Sequence, residues 1–238
     1  MSRERKISLE RNTAETKISL LIDLDGTGKY QVDTGCGFLN HMLELFARHG
    51  RFDLTLKCDG DTQVDYHHTT EDIGIAMGQA ILEALGDKKG IRRVGSCFMP
   101  MDESLSFCAL DINGRPYLEY EAELPAPMCG DYASELCEEF FRAVAVAAGL
   151  TLPLKTTGRN THHMIEAMYK AFARALRDAG RRAAQGCAGR DRGHCGQAVS
   201  RPKRKEREKH SFSLPFLMRM QYNILIIYHK FAFREEMR

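Results

Sequence analysis

Two stretches of the chain carry the same pattern, His-His-x-x-Glu: His67-His68-Thr69-Thr70-Glu71 and, 95 residues later, His162-His163-Met164-Ile165-Glu166. On a helix, residues four apart share a face, so His67 with Glu71, and His162 with Glu166, can each approach one cation. Neighbouring histidines point about 100° apart, which leaves His68 and His163 to serve a second ion. Two copies therefore predict a dinuclear site. Imidazole and carboxylate donors suit Mn, Fe, Co or Zn, and no cysteine ligand stands nearby to make a structural zinc knot. The bland alternative is that each pair is a polar helix start with its glutamate closing a cap; the repetition at matching positions argues against it.

The elements that must carry these residues follow from hydrophobic period. Ile18, Leu20, Ile22 and Leu24 alternate as in a strand, and Asp25-Gly26-Thr27-Gly28 turns towards a second strand near 30–34, a hairpin. Phe38, Leu39, Met42, Leu43 and Phe46 recur at helical spacing up to Gly50, and Phe52, Leu54 and Leu56 form another strand. A short strand then reaches the first histidine pair, and Ile73, Met77, Ala80 and Ala84 continue a helix behind it. The second half repeats the order: strand-like segments over 93–111 broken around Pro100, a hairpin turn at Asn113-Gly114, a strand over 115–124, a helix over 134–148, a strand over 150–156 and a helix behind the second pair. Each half reads β-β-α-β-β-α, so the expected fold is α+β with an internal duplication, residues 1–90 and 91–180, followed by a separate segment, 181–238. The duplication supplies further candidates: His41 precedes His67 as Glu139 precedes His162, each inside an apolar helical stretch, giving the sets His41, His67, His68, Glu71 and Glu139, His162, His163, Glu166.

A chain of 238 residues with 43% hydrophobic content can bury a full core. Its net charge of +2 hides a split: residues 1–180 carry 20 Lys and Arg against 27 Asp and Glu, and residues 181–238 carry 14 against 5. The eight cysteines are scattered without tight spacing, as in reduced thiols, and the charged start does not resemble a signal peptide, so a cytoplasmic location is expected.

Six motifs then carry a family resemblance: Arg11-Asn12-Thr13-Ala14-Glu15-Thr16, Gly37-Phe38-Leu39-Asn40-His41-Met42-Leu43, His67-His68-Thr69-Thr70-Glu71-Asp72, Pro100-Met101-Asp102-Glu103, Gly114-Arg115-Pro116 and His162-His163-Met164-Ile165-Glu166-Ala167. Residues 5–178 resemble imidazoleglycerol-phosphate dehydratase of histidine biosynthesis. The resemblance implies two halves like ribosomal protein S5 domain 2, an assembly of 24 subunits with metal sites at subunit contacts, and a hydro-lyase that uses two Mn2+ to convert the phosphorylated imidazole substrate imidazole glycerol phosphate to imidazole acetol phosphate. By position it implies Glu15 as the catalytic carboxylate and His41, His67, His68, Glu71, His162, His163 and Glu166 as metal ligands. Glu139 falls on a ligand position that is often histidine in the family. Arg93, Arg115 and Lys170 fall on phosphate-binding positions, where their charges suit a phosphomonoester. Asp102 and Glu103 lie in a shared motif without an assigned role.

The chain departs from the family pattern in places. Asn40 replaces the usual aspartate before the histidine, which points to an altered environment for His41, and Pro153 replaces a histidine. The family's closing Pro-Ser-x-Lys-Gly segment, whose serine and lysine help to bind phosphate, is absent; from about Gly180 a Gly/Arg/Cys-rich stretch, a basic run (Pro202 to Lys209) and an apolar patch (Ile224 to Tyr228) follow. So abrupt a switch matches a reading-frame change in the coding sequence. The basic run lacks interleaved aromatics, so nucleic acid is not an expected partner, and Phe212 to Phe233 is too interrupted by polar residues for a membrane span. Against the dehydratase stands one other reading, a catalytically impaired metal-binding homologue or scaffold that has lost its phosphate-binding end.

Overall fold

The structure, a computed structural model, describes residues 4–182; the segment expected at 181–238 lies, past Arg182, outside the described residues. In chain order the elements are β1 (Lys6–Asn12), β2 (Thr16–Asp23), β3 (Tyr30–Asp33), α1 (Gly37–Gly50), β4 (Asp53–Gly60), α2 (His67–Leu85), β5 (Val94–Met101), β6 (Ser104–Asp111), β7 (Tyr117–Ala122), β8 (Met128–Cys129), β9 (Tyr132–Ala133), α3 (Leu136–Ala148), β10 (Thr151–Thr157) and α4 (Thr161–Gly180). The strands make two four-stranded sheets of one topology, β1-β2-β4-β3 and β5-β6-β10-β7, with β8 and β9 forming a small extra hairpin. The expected α+β duplication is present. Its register is visible in the leading hairpins, where the pairing Lys6↔Asp23 through Asn12↔Lys17 reappears 88 positions on as Val94↔Asp111 through Pro100↔Leu105.

Within each half the order is β-β-β-α-β-α, not β-β-α-β-β-α. Lys6–Asn12 is a strand with only shallow burial, since it lies at a sheet edge, and residues 61–66 form turns instead of a strand. Neither expected hairpin forms. β2 pairs with β1 and β4, while β3 runs parallel to β4; likewise β7 runs parallel to β10 across a crossover that contains α3. A parallel pair cannot be closed by a tight turn, so the turns at 25–28 and 113–114 redirect the chain without joining paired strands. Pro100 does not break its strand, because β5 is an edge strand where a missing N–H is tolerated.

Alternation puts one face of each sheet inward. Ile18, Leu20 and Ile22 on β2, with Leu54 and Leu56 on β4, are buried, as are Leu152 and Leu154 on β10. α2 lies over β1, β2 and β4, and α4 over β5, β6 and β10. Between the halves, helices pair across: α1 packs on α4 and α2 on α3. Phe46, Phe140, Phe141, Tyr169 and Phe172 fill this seam with ring centroids 4.9–5.7 Å apart, and a fully buried aliphatic or phenylalanine side chain contributes about 1.5–3 kcal/mol. The α2–α3 approach depends on small residues. A Cβ on Gly74 would meet Ala143 Cβ at 2.8 Å, and one on Gly78 would meet Ala147 Cβ at 2.6 Å.

Candidate metal centre

Both His-His pairs fall in the first turn of a helix, and the backbone there is met by other residues. Asp65 Oδ1 accepts the His67 N–H (2.7 Å), and Asn160 Oδ1 accepts the His163 N–H (3.2 Å). The glutamates of the motifs are thus not needed as caps.

The cross-packing of helices decides which candidates meet. His41 on α1 faces His162 and Glu166 on α4, with the two Nε2 atoms 3.6 and 3.4 Å from Glu166 Oε2. All three donor atoms lie within 4.8 Å of one another. The sequence-level sets, grouped by half, therefore do not hold: His41 joins residues of the other half because α1 is the neighbour of α4 and not of α2. Phe38 packs edge-on against the His162 ring at 5.2 Å, which limits its rotation. Glu166 is buried while both histidines remain exposed on their outer side, so the group opens to solvent. Glu166 Oε1 accepts a hydrogen bond from Lys170, whose ammonium also reaches Met101 Sδ (3.5 Å). Burial pushes the Glu166 pKa up, but the hydrogen bond and charge of Lys170, with attraction to His41 and His162, outweigh it and hold the group below its ordinary value. Two imidazoles and an ionised carboxylate converging on an open side fit a divalent transition-metal ion.

The second histidine of each pair is held differently. His68 Nδ1 lies 2.9 Å from Asp61 Oδ2, in the segment after β4. His163 Nδ1 lies 3.0 Å from Glu103 Oε2, in the β5–β6 turn, with Asp102 Oδ2 3.8 Å from Nε2. These hydrogen bonds raise both histidine pKa values, and the one from His163 lowers Glu103 to about 2. Among the described residues, Asp102, Glu103 and His163 form the other close group of potential metal donors.

The remaining candidate ligands lie along α2 and α3. Glu71 and Glu139 line one groove of about 330 Å³, again joining residues of different halves. Arg142 reaches Glu139 (3.5 Å) and also pairs with Glu138. His67 stands edge-on to His68, with ring centroids 6.1 Å apart.

Glu15 occupies the exposed turn between β1 and β2. Its carbonyl accepts the Asp61 N–H (3.0 Å), placing it beside the carboxylate that holds His68. The turn is anchored from below by Asp72 on α2, which accepts from Thr16 Oγ1 (2.6 Å), Thr13 Oγ1 (3.1 Å) and the Arg11 guanidinium (2.6 and 3.1 Å). Of the three basic candidates, Arg93 forms a two-pronged ion pair with Asp111 (2.7 and 3.0 Å), and Arg115 contributes to the positive field on the same carboxylate. Lys170 is engaged with Glu166. Asn40 is engaged with the preceding loop: its Oδ1 accepts from the Thr34 backbone and hydroxyl (2.9 and 2.7 Å), tying the end of β3 to the start of α1. At Leu152 and Pro153 the ladder from β10 to β6 is interrupted, while pairing with β7 continues.

Sequence alone assigned Asp61, Asp72 and Glu103 no role. Asp72 directly follows the first His-His-x-x-Glu motif, and Glu103 stands 88 positions after Glu15, the same register that relates the two leading hairpins.

The family model for imidazoleglycerol-phosphate dehydratase matches residues 34–176. The chain is 58% identical to the imidazoleglycerol-phosphate dehydratase of Acetivibrio thermocellus over 180 residues, covering 75% of this chain and 92% of that relative. To the enzyme of the same name from Listeria welshimeri it is 56% identical over 176 residues, covering 74% and 91%. The crystal structure of imidazoleglycerol-phosphate dehydratase from Staphylococcus aureus aligns with a TM-score of 0.68 at 43% identity, covering 75% of this chain and 99% of that one. With most of its described residues matched in sequence and in fold, the chain belongs to the imidazoleglycerol-phosphate dehydratase family.

Proposed function

We propose that this protein is a metal-dependent hydro-lyase that converts imidazole glycerol phosphate to imidazole acetol phosphate, with Mn2+ as its metal. The observation that carries the metal dependence is the convergence of His41, His162 and Glu166 within 4.8 Å. His67, His68, Glu71, Glu139 and His163 complete the proposed ligands for two ions, in the order that the family resemblance implies. When bound, the ions supply Lewis acidity that polarises the substrate's imidazole.

The chain's own residues supply the rest. The hydroxyl next to the imidazole leaves, a neighbouring carbon-bound proton is removed, and the resulting enol becomes the ketone; one water is lost in total. Glu15, exposed at its turn and fixed through Asp72, is the carboxylate assigned to take that proton. Arg93 and Arg115, both close to Asp111, are assigned to the phosphate. An ammonium has three donors; Lys170 gives one to Glu166 and one to Met101, and the third is assigned to a phosphate oxygen.

Metal removal tests the dependence. Protein stripped with a chelator should lose turnover of imidazole glycerol phosphate and regain it on addition of Mn2+. Turnover unchanged after the metal content has fallen to zero would contradict the reading. Metal binding without turnover would instead favour the impaired homologue or scaffold.

A further inference from the structure

The two halves hold their second histidines by the same atom and with the same kind of partner. His68 Nδ1 meets Asp61 Oδ2 at 2.9 Å and His163 Nδ1 meets Glu103 Oε2 at 3.0 Å. The partners come from different places. Asp61 follows β4 of the first half, whereas Glu103 sits in the leading hairpin of the second, at the position that Glu15 occupies in the leading hairpin of the first. Equivalent positions of the two leading hairpins therefore hold a carboxylate in two settings: Glu15 stays in the open, and Glu103 is turned onto a ring.

We propose that Asp61 and Glu103 are a matched pair of positioning carboxylates, each accepting the Nδ1–H of the second histidine of its motif so that Nε2 is the nitrogen presented to a metal ion. An imidazole with one nitrogen committed to a carboxylate has its tautomer and ring direction fixed, and its other nitrogen becomes the better donor. The local wiring suits this role. The second oxygen of Asp61 is buried without a hydrogen-bond partner among the described residues, so the side chain serves His68. Glu103 Oε1 accepts from Ser104 Oγ (3.0 Å), which steadies the carboxylate while Oε2 takes the ring. Asp102, in the left-handed region with φ 48°, turns the chain so that Glu103 faces α4.

The inference rests on the metal-binding reading above, and the test separates the two. Dissociation constants for Mn2+ alone are measured calorimetrically on the full chain, for wild type, Asp61→Ala, Glu103→Ala, Asp61→Asn and Glu103→Gln. Each alanine variant should bind about 10- to 100-fold more weakly, the range typical for loss of such a partner. The amide variants, which still accept an N–H but are neutral, should fall between. Thermal unfolding of the metal-free proteins should shift only slightly, since both carboxylate–histidine pairs are partly exposed. Wild type that binds no Mn2+ overturns the metal reading and this inference with it. Wild type that binds while both alanine variants match it overturns the inference alone, as does a lowered melting temperature with unchanged affinity, which would mark a structural role.

Discussion

Glu166→Ala should abolish cation binding between α1 and α4 and also destabilise the fold. One oxygen of this carboxylate faces His41 and His162, and the other holds Lys170. Both partners of the ion pair are nearly buried, with side-chain exposures of 9% for Glu166 and 12% for Lys170. Deleting one member of such a pair leaves an uncompensated charge and typically costs about 3–5 kcal/mol. Glu166→Gln separates the two effects. The amide keeps the volume and can accept from Lys170 but does not balance its charge, so part of the stability should return, and it is a far poorer metal donor. Denaturant unfolding with metal analysis of the same samples checks both: Ala loses stability and metal, Gln mainly metal. A Gln variant that keeps its full metal content would remove Glu166 from the ligand set.

Asp72→Ala should also have a large effect, and it acts through Glu15. Asp72 is the shared acceptor for Arg11, Thr13 and Thr16, which frame the turn that carries Glu15. Without it those donors lose their partner and the turn loses its anchor. Misplacing a reacting group by about 1 Å can lower a rate by about 100-fold, so kcat should fall by that order even though Asp72 touches no substrate. The stability effect has a pH signature. Burial pushes the Asp72 pKa up, but hydrogen bonds from Thr16 and Arg11 win and hold it below its ordinary value. A depressed folded-state pKa gives stability that is fully present above the unfolded value of about 3.9 and is lost as pH falls through the lower folded value. The difference in unfolding free energy between wild type and Asp72→Asn should therefore be constant near neutrality and shrink below about pH 4. A difference that grows in acid would contradict the assignment.

The sequence shows where each ligand sits along its own element, because period and spacing are local. Helical spacing put His162 and Glu166 on one face, and their side chains meet at 3.4 Å. It does not show which elements become neighbours. Both misread hairpins have one cause: the turn signals at 25–28 and 113–114 are local, whereas β4 and β10 reach their places from later in the chain. The same blindness grouped His41 with His67 and His68, although α1 packs on α4. The small residues that set the α2–α3 contact, Gly74 and Gly78 opposite Ala143 and Ala147, carry no signal of their own until the facing helix is known. The engagement of Asp61 and Asp72 was hidden for a related reason, since an acid in a loop or near the start of a helix is ordinarily solvated. Only the three-dimensional partners, His68 for one and Arg11, Thr13 and Thr16 for the other, show them engaged.

The most direct test of the account is the turnover of imidazole glycerol phosphate by the purified full-length chain in the presence of Mn2+, measured as imidazole acetol phosphate formed, beside Glu15→Gln. The account predicts turnover in wild type and a loss of about 100- to 10,000-fold in the variant, the usual contribution of a positioned general base, with metal content equal in the two proteins. A wild type that binds Mn2+ but forms no product, or a variant that turns over as fast as wild type, would contradict it.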